Sequence, residues 1–136
     1  MPAIDLLKRA SALALCLLPH AALAQDPERG EEVFLSYCAA CHGLEGRGDG
    51  QMAAILEILP ADLTQLSANN GGVFPLFDVL RKIDGRDPVL AHGGVMPLYG
   101  DFFEGFDTAL QTPGGQPILT SQPLADVAAW LERVQE

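Results

Sequence analysis

The sequence is poor in cysteine, in basic residues and in long apolar runs, and each shortage excludes something. Eight Lys and Arg stand against eighteen Asp and Glu, a net charge of −10 over 136 residues. So acidic a chain argues against nucleic acid and anionic membrane as partners, because both need a basic patch. The apolar run from Ala10 to Leu18 is ended by Pro19 and His20, well short of the roughly 20 residues a membrane-spanning helix needs. With Lys8 and Arg9 before it and the small-residue pattern Ala22-Leu23-Ala24 after it, the run reads as a secretory signal peptide over residues 1–24. Cys16 follows Leu15 where a lipoprotein cleavage motif would want a small residue, so no lipid or membrane anchor is expected after cleavage. The mature domain is then 25–136, with only Cys38 and Cys41 left and a net charge near −11. No stretch alternates apolar and polar residues long enough to predict a strand, and no repeat or linker divides the chain.

What is present is a series of short helical pieces cut by glycine and proline. Asp26-Pro27-Glu28 supplies an N-cap, a proline at the first helical position and an acidic first turn. Gly30, Val33, Phe34 and Tyr37 then share a face at helical spacing, and the helix delivers Cys38 at its end. Gly43, Gly46, Gly48 and Gly50 make a permissive loop. A second helix is predicted from Gln51 to Leu59, closed by Pro60. Pro75 opens a third, with Leu76, Phe77, Leu80 and Ile83 on one side, ending near Gly85. From Arg86 to Leu119 the spacing predicts an irregular loop with a turn of helix near Phe102. Thr120 is read as the cap of a last helix whose Leu124, Val127, Ala128, Trp130, Leu131 and Val134 form an apolar stripe, with Pro123 in its first turn. The expected fold class is all-α: three or four helices and long loops. Such loops call for an organiser in a compact domain, and a domain this small gains from a large apolar cofactor at its centre.

The chemistry is concentrated in Tyr37-Cys38-Ala39-Ala40-Cys41-His42-Gly43. A thioredoxin-like redox pair needs a strand before it and a central sheet, whereas a helix precedes this motif. A structural zinc site takes its four ligands usually as two paired clusters, and beyond these three the mature chain has only the isolated His92, with no cysteine to form a second pair. A disulfide between Cys38 and Cys41 would close a very small loop and contribute little. Haem attachment uses every residue of C-x-x-C-H: both thiols add to the vinyl groups as thioethers, and His42 lies beneath the ring with a nitrogen toward the iron. Export through a signal peptide fits covalent attachment outside the cytoplasm.

With these residues the mature chain resembles a class I monohaem c-type cytochrome, the small soluble bacterial cytochromes c, over nearly all of 25–136. The resemblance implies the cytochrome c fold and one haem c bound covalently through Cys38 and Cys41. It matches Gly30 and Phe34 of the first helix, and Trp130 of the last, to a packing contact between those helices. It gives the distal iron position to Met96, followed by Pro97, with His92 the second candidate and Met52 a core filler. It gives Pro60 the role of accepting, through its carbonyl, the proton on the other nitrogen of the proximal imidazole. Gln51 stands where related sequences often carry proline, and Tyr99 is read as packing rather than as a propionate partner. Methionine and histidine together leave no open site on iron and raise the reduction potential.

The function expected is that of a periplasmic single-electron carrier rather than an enzyme, a monomer exchanging electrons with protein partners such as a dehydrogenase, a cytochrome complex or an oxidase. Two other readings stay open: a haem subunit of a larger dehydrogenase or oxidase, docked through the 86–119 stretch, and a haem-based ligand sensor with a displaceable sixth ligand. A dithiol oxidoreductase comes last.

Overall fold

A computed structural model describes residues 25–85, 96–100, 102–103, 107–112 and 114–136. Residues 1–24, read from the sequence as a signal peptide, and His92 lie outside the described residues. Helix α1, Pro27–Tyr37, begins as its sequence predicts: the Asp26 side chain accepts from the backbone N–H groups of Glu28 and Arg29, with Pro27 at the first helical position. Such a cap contributes about 1 kcal/mol. The helix breaks at Cys38 and resumes as the single turn α2, Ala39–His42, which Gly43 ends. Two 3-10 turns, Ala53–Ile55 and Leu63–Gln65, precede the short helix α3, Leu66–Asn69. Helix α4 is Leu76–Asp84 and helix α5 is Gln122–Arg133.

The core forms where α1 crosses α5. An added Cβ at Gly30 would lie 2.0 Å from the Asp126 carbonyl oxygen, so only glycine allows the two backbones to approach this closely. Four residues on, the rings of Phe34 and Trp130 meet at 4.3 Å between centroids. The last helix buries Leu124, Val127, Ala128 and Leu131, and α4 adds Val79, Leu80 and Ile83. Asp126 is also buried, and its carboxylate is satisfied by the backbone N–H of Asp26 at 2.9 Å and the Gln122 amide at 2.7 Å.

Three expectations are corrected. The predicted helix from Gln51 to Leu59 is only the 3-10 turn Ala53–Ile55. Ile55, Ile58 and Leu59 are largely exposed, and a helix with no face to pack against a core gains too little to form. A hairpin appears where only loop was expected: β1, Asp107–Gln111, pairs antiparallel with β2, Pro117–Ser121, in register Thr108↔Thr120 and Leu110↔Ile118. The last helix therefore begins later. Thr120 is held in the strand ladder, and Ser121 takes the N-cap position without a side-chain bond. The architecture remains mainly helical.

The α1–α5 contact gives a direct prediction. Gly30→Ala should lower stability by about 1–3 kcal/mol through overpacking, and Trp130→Ala by about 3–5 kcal/mol through the cavity it leaves. Urea unfolding of the haem-loaded protein checks both.

Candidate functional site

Cys38, Cys41 and His42 line a cavity of about 730 Å³, within the roughly 300–1,000 Å³ of small-molecule and cofactor sites. Its walls are chiefly apolar, with Leu56, Ile58 and Leu59 on one side and Val79, Ile83 and Val127 on others. Met96 and Pro97 line the same cavity, and Met96 is half-buried against the core. The chain beyond Met96 is fastened by Tyr99, whose backbone N–H donates to Ile83 O at 2.9 Å and whose hydroxyl donates to Tyr37 O at 3.0 Å. Tyr99 also packs among Tyr37, Phe102 and Phe103, in keeping with a packing role. Met52 is on the surface of its turn, 39 % exposed, rather than in the core.

The motif is held from behind by the glycine loop. Gly48 N–H donates to His42 O at 2.7 Å, Gly50 N–H to Cys41 O at 3.1 Å and Met52 N–H to Ala40 O at 2.9 Å. Gly48 combines a φ of +79° with a tight site, since an added Cβ would lie 2.4 Å from Pro60 O. That packing turns the Pro60 carbonyl toward the loop. The acceptor facing His42 Nδ1 is instead the carbonyl of Ala61, at 3.2 Å, so the role expected of Pro60 belongs one residue later. Pro60 itself lines the cavity. A sequence cannot distinguish adjacent carbonyls, and here both lie against Gly48, the Ala61 oxygen 3.1 Å from where its Cβ would stand.

The electrostatics suit neutral ligands. Burial holds the His42 imidazole below its ordinary value, opposed by the bond to Ala61. A carbonyl can only accept, so Nδ1 carries the proton and Nε2 keeps its lone pair. Burial, assisted by the nearby Cys41, pushes the Cys38 thiol up to about 11. A dithiol oxidoreductase needs a thiol shifted the other way. The half-buried sulfurs, imidazole and thioether and the apolar walls fit a haem, a large apolar macrocycle whose iron takes nitrogen and sulfur ligands.

A mainly helical domain with Cys38, Cys41, His42 and Met96 around one apolar cavity has the make-up of a haem-binding protein. The Cytochrome c family profile matches residues 27–135, and the chain belongs to the cytochrome c family, whose members carry haem c and transfer electrons. Comparison with curated proteins and with solved structures gives no match. Cys38 and Cys41 are consistent with covalent attachment of the haem, and partners are redox proteins as a class. No helix among the described residues is long and apolar enough to cross a membrane.

The contact behind His42 is testable by comparing two glycines. Gly71 has a φ of +67° with open space around it, so Gly71→Ala should cost only the left-handed backbone penalty, about 1–2 kcal/mol. Gly48→Ala should cost about 1–3 kcal/mol more through its clash with Pro60 O, read as the difference between the two urea midpoints.

Proposed function

We propose that this chain is a periplasmic carrier of single electrons, holding one haem c through Cys38 and Cys41, with His42 and Met96 as the iron's two axial ligands. The observation that supports it most is the convergence of all four side chains on one apolar cavity. When bound, the haem supplies a one-electron couple, and histidine with methionine raises its potential relative to two histidines.

The protein's share of the work is positioning. His42 offers Nε2 while Ala61 O holds the Nδ1 proton, which fixes the ring's orientation and raises its basicity. Pro97, with its fixed φ, stiffens the chain beside the Met96 thioether. The apolar walls exclude water, which favours a small rearrangement on gain or loss of an electron. Ile58 and Leu59, 64 % and 73 % exposed and lining the cavity, form an apolar rim through which a partner approaches. Export follows from the signal peptide read over residues 1–24, and a saturated iron argues for carriage rather than catalysis or ligand sensing.

A second reading, a haem subunit of a larger redox enzyme, is favoured by Phe102 and Leu119, apolar and 60 % and 65 % exposed beside or within the hairpin. Copurification from native periplasm separates the two, since a free carrier elutes alone.

Protein made with haem-attachment machinery should keep its haem through acid-acetone extraction, and haem lost to the solvent would sink the proposal. Met96→Ala should abolish the weak red charge-transfer band of methionine–iron bonding and open the reduced protein to carbon monoxide. His92→Ala should retain the band.

A further inference from the structure

The carbonyl that meets His42 belongs to a segment with no regular structure, residues 60–62, lying before the 3-10 turn Leu63–Gln65. Such a segment does not fix a carbonyl by itself, so its anchors decide where Ala61 O lies. Leu63 is held through both of its backbone groups. Its N–H donates to Gly46 O at 2.7 Å, in the loop that follows His42. Its carbonyl accepts from Gln135 Nε2, also at 2.7 Å.

Gln135 lies two residues beyond the end of α5, outside the helix's own hydrogen-bond ladder. Here its amide makes three bonds at once. Nε2 donates to Leu63 O and to Leu131 O, and Oε1 accepts from the backbone N–H of Ser67, each at 2.7 Å. This uses three of the four bonds an amide can make in its plane. Glu136 continues the clamp, its N–H donating to Thr64 O at 3.0 Å and its carboxylate pairing with Arg47. One half-buried side chain thus joins the last turn of α5 to the first residue of the turn that follows Ala61 and to α3.

We propose that Gln135 is a positioning residue for His42: by holding Leu63 it sets the bond from His42 Nδ1–H to Ala61 O, and through it the reduction potential. The inference rests on reading His42 as the iron's ligand. A strong bond to Ala61 O makes the imidazole more basic and favours the oxidised state; a weaker one favours the reduced state. A purely structural role, capping the orphan carbonyls of α5, would change stability and leave both the bond and the potential alone.

The test uses the haem-loaded full chain as wild type, Gln135→Leu, Gln135→Asn and Arg133→Ala. Arg133 is the last residue of α5, and among the described residues its side chain forms exposed ion pairs with Glu28 and Glu31. Two quantities are measured: the potential by spectroelectrochemical titration, and exchange of the His42 Nδ1 proton by NMR in the reduced state. Gln135→Leu should speed exchange about tenfold or more and lower the oxidised-to-reduced ratio at fixed potential several-fold, a tenfold change being about 59 mV for one electron. Gln135→Asn, an amide one methylene shorter, should fall between it and wild type, and Arg133→Ala should match wild type in both. If Gln135→Leu fails to hold haem, Gln135→Asn alone decides by the same criteria. A potential and an exchange rate equal to wild type, whatever the loss of stability, overturn the proposal. A wild type without a low-spin haem spectrum fails the ligation reading instead.

Discussion

The approach of α1 to α5 at Gly30 is the contact on which the rest of the domain depends. Because a Cβ there would meet the Asp126 carbonyl at 2.0 Å, the helices lie backbone to backbone, and Phe34 and Trp130 fill the angle they leave. Asp126 serves this contact twice. Its backbone is the surface Gly30 rests on, and its buried carboxylate accepts from Asp26 N–H at the start of α1. A buried carboxylate without donors would be costly, so that hydrogen bond ties the beginning of α1 to the middle of α5. With both points fixed, the length of α1 determines where Cys38 emerges, and the motif opens on the face shared with α4.

The same crossing leaves the domain short of apolar partners on its other side. Leu80, Leu124 and Leu131 are almost wholly buried, yet Ile58 and Leu59 remain mostly exposed at the cavity rim. An apolar group filling the cavity removes that surface from water, at about 25 cal/mol per Å². The segment from Gln51 to Leu59 then has a physical account. Leu56, Ile58 and Leu59 line the cofactor site rather than a helical neighbour, and the only regular backbone of the segment is the 3-10 turn before them. This is the sense in which a cofactor organises long loops.

How much of this was legible in the sequence follows from the range of the interactions. Local chemistry read correctly: the Asp26 cap, the proline at the start of α1, the end of α4 at Gly85 and the apolar stripe of α5 all depend on neighbours a few residues away. The C-x-x-C-H motif read well for the same reason, since its spacing contains its geometry. The hairpin did not, because five-residue strands flanked by Gly114-Gly115 and Pro117 give too short an alternation to separate from a loop. The acceptor behind His42 was missed by one residue, because which of two adjacent carbonyls meets the imidazole depends on contacts made across the fold. Gln135 gave no local signal. Its partners Leu63 and Ser67 lie about seventy residues away in the chain, and nothing in a terminal Val-Gln-Glu announces them.

The charge of the molecule sharpens what the site's burial accomplishes. A negative net charge, −10 over the whole chain, favours cations in general, and a protonated imidazole has no lone pair to give a metal. Burial acts in the opposite direction on His42 and is its largest influence, because the low-dielectric wall penalises the cation, with the bond to Ala61 O opposing it. The bond to Ala61 O then has a narrow task. It must be strong enough to fix the tautomer and orient the ring, yet it favours the charged form as it strengthens. A carbonyl meets this where a carboxylate would not, since its partial charge orients the proton without adding a full negative charge to an already acidic domain. The proximal side therefore depends on a backbone group whose position the rest of the fold must determine, and the chain's last two residues are part of what determines it.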